Sequence, residues 1–321
     1  MDIFLYLCVK IIILAQMELV SGIDSYTNCV KPGKHLDGCT STSNRIFVGE
    51  QVTKGAIPWQ VLLRLSSDNS YFGACGGTII SHQFVLTAAH CFIYPTGVNK
   101  SWNIKLDISY IMSGSTKFDN GQRHAIKKLI VHPGYAWKLI SNLGFLLTND
   151  VAIVKVSPSF VYGENVKALC LAKVGLSIPE GSTLTVSGWG IMEYSRINNG
   201  LPEFSQTLMR TELKTISFRR GKCRYNKYYR HNKYAKICTY NPPHDSCNGD
   251  SGGPITMAVD GQCVLVGIVS EGGICGSVDY GALIVNVSFY RTWILKQIED
   301  FCEYPRPSRF FQVIKKSKRI N

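Results

Sequence analysis

Hydrophobic residues in this chain come in short runs, separated every few positions by Gly, Asn, Asp or Pro. Gln60-Val61-Leu62-Leu63, Thr78-Ile79-Ile80, Phe84-Val85-Leu86, Val151-Ala152-Ile153-Val154 and Cys263 to Val269 each have the length and β-branched content of a buried strand. One late segment breaks the pattern. From Phe289 to Phe301, Trp293, Ile294, Ile298 and Phe301 recur at helical spacing, which predicts a helix docked at the end of the chain. No heptad or internal repeat appears. The pattern predicts an all-β fold with one C-terminal helix.

The apolar run Ile3–Val20 is too short and too interrupted, by Lys10, Gln16 and Glu18, to read as a bilayer span. With Val20-Ser21-Gly22 behind it, residues 1–22 read as a secretory signal peptide, although Asp2 stands where a positive charge is usual. A membrane anchor is the competing reading. Residues 23–45 form a polar leader, 46–302 the folded body and 303–321 a basic tail. Twelve cysteines fit an oxidising, extracellular setting. Removing Cys8 with the signal leaves eleven, an odd number, and so one thiol that is free or intermolecular. Asn99 and Asn286 begin Asn-x-Ser sequons.

The net charge of +13 is concentrated. Arg219 to Lys236 carries eight Lys or Arg and no acid, interleaved with Tyr225, Tyr228, Tyr229 and Tyr234, and the tail adds more. For a secreted chain, a sulfated polysaccharide or another acidic surface is a better polyanion partner than nucleic acid. A merely solvated basic face is the plainer alternative. No metal-ligand cluster is recognisable, and no cofactor is expected.

Three motifs carry chemistry: Thr87-Ala88-Ala89-His90-Cys91, Asn149-Asp150-Val151-Ala152 and Asn248-Gly249-Asp250-Ser251-Gly252-Gly253-Pro254. A serine hydroxyl needs a base to become nucleophilic, a histidine can be that base near neutral pH, and a buried aspartate can orient the histidine. In their order and with the cysteines around them, these motifs resemble the chymotrypsin/trypsin family of serine proteases over about Arg45 to Phe301.

That resemblance implies two antiparallel six-stranded β-barrels with the active site between them. It implies a catalytic triad of His90, Asp150 and Ser251, an oxyanion hole of the Gly249 and Ser251 amides, and a supporting role for Ser270 near Asp150. Asp245, six residues before Ser251, matches the floor of the primary specificity pocket, where a carboxylate attracts Lys or Arg. Gly272 and Ala282 match its walls; with Ala282 in the usual glycine place its methyl implies a narrow slot that suits Lys better than Arg, whereas a register shifted by one residue puts Gly281 there instead. Glu271 stands where the family has an aromatic platform. Cleavage after Arg45 would free Ile46 to pair with Asp250, although Val48 departs from the usual glycine. The family's calcium loop is not recognisable between Ile104 and Gly121.

Family pairings imply the disulfides Cys75–Cys91, Cys223–Cys238 and Cys247–Cys275. Cys170 is expected to tie the leader to the body through Cys39, with Cys29 as the other choice. Cys29, Cys263 and Cys302 remain unassigned. Leu184 and Met257 stand where one common family bridge would be. The segment between Tyr135 and Asp150 is longer and more apolar than in minimal members, and either overhangs the cleft or packs on its own barrel. The expected function is a secreted endopeptidase zymogen cutting after Lys or Arg. Its partners would be a protein or peptide substrate, an activating protease and protein inhibitors. A non-catalytic, protease-shaped binding protein using the basic surface is the alternative.

Overall fold

The computed structural model describes Cys39 and residues 49–299, apart from 68–71, 98–99, 141–143, 192–196, 199–200, 219–221, 224–233, 273–274 and 277. Arg45, Ile46, Val48, Asn99, Cys29, Cys302, Phe301 and most of the basic stretch lie outside the described residues.

In chain order the main strands are β1 Gln60–Ser66, β2 Phe72–Ile79, β3 Phe84–Thr87, β4 Ile93–Gly97, β5 Lys100–Asn103, β6 Tyr110–Ser113, β7 Gln122–Val131, β8 Ala136–Ile140 and β9 Gly144–Thr148. They continue with β10 Ala152–Ser157, β11 Thr183–Gly188, β12 Met209–Ile216, β13 Lys236–Thr239, β14 Pro254–Val259, β15 Gln262–Glu271 and β16 Ala282–Asn286. Helix α1, Val287–Glu299, follows directly. The first barrel closes in the order β10-β3-β2-β1-β6-β7. The second runs β12-β11-β14-β15-β16-β13 and is closed by pairing of β12 with β13. All of these barrel pairings are antiparallel. The all-β, two-barrel architecture with a C-terminal helix is the one expected.

The apolar runs fill the barrel interiors. Every residue of Phe84–Thr87 is buried, and Val61, Leu63, Val85, Leu86, Ile153 and Val154 are fully so. Burying one such side chain contributes about 1.5–3 kcal/mol. In the second barrel the pairing of Thr185 with Thr256 places Leu184 opposite Met257, and both join one apolar cluster with Val186, Leu213, Ile255 and Ile284. Where the family would have a bridge, this chain has packing.

Helix α1 starts at Val287, two residues earlier than the periodicity predicts, because Asn286 caps it: Asn286 Oδ1 accepts the Ser288 amide at 3.1 Å. Its buried face is Val287, Tyr290, Ile294 and Ile298, at helical spacing. The Asn286 carboxamide also donates to Tyr234 O at 2.9 Å, so this sequon asparagine is engaged at both ends of its amide.

Disulfides join Cys75 to Cys91, Cys223 to Cys238 and Cys247 to Cys275. The leader is anchored differently from the expectation: Cys39 pairs with Cys263, not Cys170. Cys170 lies in a short strand parallel to Val264–Leu265, beside Cys263, and is held in a different disulfide. Among the described residues no helix is long and apolar enough to cross a membrane, and no metal-binding cluster of His, Cys, Asp or Glu occurs.

Candidate active site

His90 sits on a single 3-10 turn, Ala89–Cys91, which begins two residues after strand β3 ends. Asp150 lies at the turn just before β10, and pairing of β10 with β3 brings the two together. His90 Nδ1 and Asp150 Oδ2 are 2.8 Å apart, and the His90 amide donates to Asp150 Oδ1 at 2.8 Å. Asp150 is completely buried. Burial alone would raise its pKa, but the His90 charge and hydrogen bond, Lys236 and the Ser270 hydroxyl outweigh it and hold the carboxyl near 2.

The Asp150 turn is fastened from outside the barrel. Asn149 adopts a positive φ of 48° and donates to Gly134 O at 2.7 Å, while Tyr290 of α1 donates its hydroxyl to Asn149 Oδ1 at 2.9 Å. The terminal helix thus positions the site as well as covering the core.

Ser251 belongs to the loop between Cys247 and β14. Its carbonyl accepts the Gly76 amide of the first barrel at 2.7 Å. A Cβ on Gly76 would lie 2.7 Å from Gly253 Cα, so only glycine allows the loop to come this close. A second bond, Ser187 Oγ to Gln60 Oε1 at 2.7 Å, joins the barrels nearby. Among the described hydrogen bonds, the Gly249 and Ser251 amides donate to nothing, and Ser251 Oγ has no bond to His90. Such bonds are often loose before substrate binds. Gly249 takes a φ of 101°, and the Phe204 ring packs where its side chain would be.

Asp245 and Asp250 face one cavity of about 900 Å³, lined also by Gly49, Gly188, Gly190, Phe204 and His244. Asp245 accepts from the Ser246 and Gly276 amides at 2.8 and 3.2 Å, and Asp250 from the Gly190 and Cys247 amides at 2.7 and 2.9 Å. Burial pushes both carboxyls up to about 6, and the proximity of Asp250 adds to the effect on Asp245. Gly272 and Ala282 face each other: a Cβ on Gly272 would meet the Ala282 methyl at 3.9 Å.

Ser270 lies on β15 and donates to Asp150 Oδ2 at 2.6 Å. The sequence reading missed what lies behind it. Lys236, counted there with the basic surface, is buried and donates to Ser270 Oγ and Glu271 Oε1, both at 2.7 Å. Glu271 is buried as well, so its side chain turns under the strand instead of forming a platform over the cleft. Lys236 and Glu271 are 35 residues apart, and the only sequence clue was a charge in a place where the family has an aromatic ring.

The long segment after Tyr135 is the hairpin β8–β9. It crosses from one barrel to the other. Ile140 and Leu146 are buried with Cys223, Cys238 and Leu283 of the second barrel. On its own side it is bonded to the β4–β5 hairpin, through Tyr135 OH to Ile93 O at 2.9 Å and Trp137 Nε1 to Gly97 O at 3.2 Å.

Relatives bear on this geometry directly. The family model described as Trypsin matches residues 46–294. The chain is 31% identical over 260 residues to the venom peptide isomerase heavy chain of Agelenopsis aperta, covering 78% of this chain and all of that one. It is 32% identical over 267 residues to trypsin epsilon of Drosophila erecta, covering 83% and 93% respectively. It is 31% identical over 270 residues to phenoloxidase-activating factor 3 of Holotrichia diomphalia, covering 79% and 72%. With the two barrels, the His90–Asp150 pair between them and this extent of match, the chain belongs to the trypsin family of serine proteases.

Proposed function

We propose that this protein is a secreted serine endopeptidase, made as a zymogen, that cuts peptide bonds after Lys or Arg. The observation that carries this reading is the His90–Asp150 pair, bonded at 2.8 Å beside the Ser251 loop, with His90 Nε2 left to face a nucleophile. Ser251 Oγ attacks the scissile carbonyl as His90 takes its proton. The carbonyl oxygen becomes an anion that the Gly249 and Ser251 amides bind, a contribution of about 3–4 kcal/mol for one donor. His90 then protonates the leaving amine, and water hydrolyses the acyl-enzyme. Asp150 stays ionised throughout and stabilises the imidazolium.

Asp245 supports specificity for a basic side chain, since an ammonium or guanidinium entering the cavity would relieve a costly buried carboxylate. The same reasoning supports activation. Gly49 lines the cavity that holds Asp250, and the three residues from Ile46 to Gly49 span at most about 11 Å. A new Ile46 ammonium reaching Asp250 would order the loop that carries the oxyanion donors. The relative named phenoloxidase-activating factor 3 fits a role in activating another protein, and protein inhibitors and a sulfated polysaccharide are further partners of this reading.

The test uses secreted zymogen cut at Arg45–Ile46 by trace trypsin, which is then removed, and assayed on Lys, Arg and Phe amides beside Ser251→Ala. Turnover after Lys or Arg that is absent from the variant is expected. Chiral analysis of the recovered peptides covers isomerisation, the activity in one relative's name. No chemistry despite an Ile46 terminus would leave the protease-shaped binding protein as the better reading.

A further inference from the structure

We infer that Lys236 and Glu271 are positioning residues for His90 and Asp150: a buried, mutually neutralising ion pair that fixes the direction of the Ser270 proton. The inference rests on the hydrolase reading of His90 and Asp150. Its basis is a continuous chain of contacts. Glu271 Oε1 accepts from Lys236 Nζ, Lys236 Nζ donates to Ser270 Oγ, Ser270 Oγ donates to Asp150 Oδ2, and the same oxygen meets His90 Nδ1, in distances of 2.6–2.8 Å.

The chemistry of each group sets the direction. An ammonium has donors only, so Ser270 Oγ must accept from Lys236. The hydroxyl has one proton, and with Lys236 on its lone pair that proton is left for Asp150. A neutral apolar neighbour would let the hydroxyl rotate away. Lys236 alone would do harm, because a cation this near Asp150 also opposes the positive imidazolium on which the reaction depends. Glu271, paired to it at 2.7 Å, cancels that field while leaving the donor in place. Both partners are buried, so solvent does little of this cancelling.

Among the described residues, the Tyr135 and Tyr290 phenols also feel the Asp150 charge, and Tyr135 feels Glu271 and Tyr94 as well. Burial, with Asp150 nearby, pushes the Tyr135 and Tyr290 phenols upward, so they stay neutral across the titration of His90 and add no charge beside Lys236 and Glu271.

The experiment is an NMR titration of the His90 ring in the uncut chain carrying Ser251→Ala, which needs no turnover. Glu271→Gln keeps the size and one acceptor for Lys236 but leaves a net positive charge. The His90 midpoint is expected to fall by about one pH unit. Lys236→Met leaves the opposite charge, and the midpoint is expected to rise by a similar amount. The double variant Lys236→Met/Glu271→Gln, neutral again, is expected to return to within about 0.3 unit of the native value. Midpoints that do not move, or that move in the same direction in both single variants, overturn the inference. Should Lys236→Met fail to fold, the sign of the Glu271→Gln shift alone decides. In activated protein with Ser251 intact, the same two variants should lower kcat with little change in KM. Absence of turnover in the native protein would count against the hydrolase reading while the titration remained readable.

Discussion

Asp250 Oδ1 accepts the Gly190 amide at 2.7 Å beside a cavity lined also by the carboxylates of Asp245 and Glu203 and by Arg210, which is ion-paired to Glu50. A Cβ on Gly188 or Gly190 would overlap the Asp250 carboxylate, so two glycines make room for a carboxyl whose hydrogen bonds among the described residues come from the Gly190 and Cys247 amides.

That charge makes the uncut protein pH-sensitive. A carboxyl raised to about 6 binds its proton more tightly folded than unfolded, where it titrates near 4. Its contribution therefore favours the folded state at low pH and is lost as pH rises through about 6. Asp250→Asn, with nothing to ionise, should gain about 1–2 kcal/mol relative to the native chain between pH 4 and pH 7. Denaturant unfolding at both pH values measures this. A native-minus-variant difference that is constant with pH would refute it, and the variant should not become active on cleavage.

Removing the charge that orients His90 should act on turnover. Asp150→Asn is expected to lower kcat about 10⁴-fold with a small change in KM, because the wrong tautomer of His90 is then favoured. Steady-state kinetics of the activated variant checks both quantities.

Specificity should split between Asp245 and Ala282. Asp245→Ser is expected to cut kcat/KM for Lys and Arg substrates by more than about 100-fold. Ala282→Gly removes the methyl facing Gly272 and should raise the Arg-to-Lys ratio of kcat/KM by about 10-fold. An unchanged ratio would mean that the methyl does not border the substrate side chain.

Cleavage after Arg45 should leave the leader attached through Cys39–Cys263. The cut protein is expected to run as one band on a non-reducing gel and as two when reduced. Because Cys170 is held in another disulfide, the double variant Cys170→Ser/Cys263→Ser is expected to release the leader without reductant, and release already in Cys263→Ser alone would mean that the Cys170 bridge does not reach the leader.

The β8–β9 hairpin should both stabilise and restrict. Ile140→Ala empties a buried site against Cys223 and Cys238, at a cost of about 2–4 kcal/mol. Its melting temperature should fall, and activity on substrates with bulky residues before the cut should rise relative to small ones. Equal scaling of all substrates would show that the hairpin is structural only.

Much of this was legible from local pattern. Strands such as Phe84–Thr87 are buried throughout, so an unbroken apolar run marks them. Gln122–Val131 is a strand whose residues are mostly exposed or half-buried, with Lys127 and Lys128 on its outer face, and its pattern gives a weak signal. The leader bridge failed for a different reason. Cys170 is paired in register with Val264, so two cysteines lie side by side in the fold, and nothing in the chain order says which one Cys39 meets. Lys236 was hidden in a basic stretch whose other members gave it their apparent role. Only the pairing of β13 with β16, and of β16 with β15, brings it under Glu271.

The bond from the Gly76 amide to the Ser251 carbonyl has a further meaning. The serine loop belongs to one barrel and is held by the other, with Gln60 and Ser187 as a second rivet across the same seam. Neither half of the molecule carries a self-sufficient share of the machinery. Parting the two barrels along this seam is therefore expected to displace the serine loop and to lower turnover on every substrate alike.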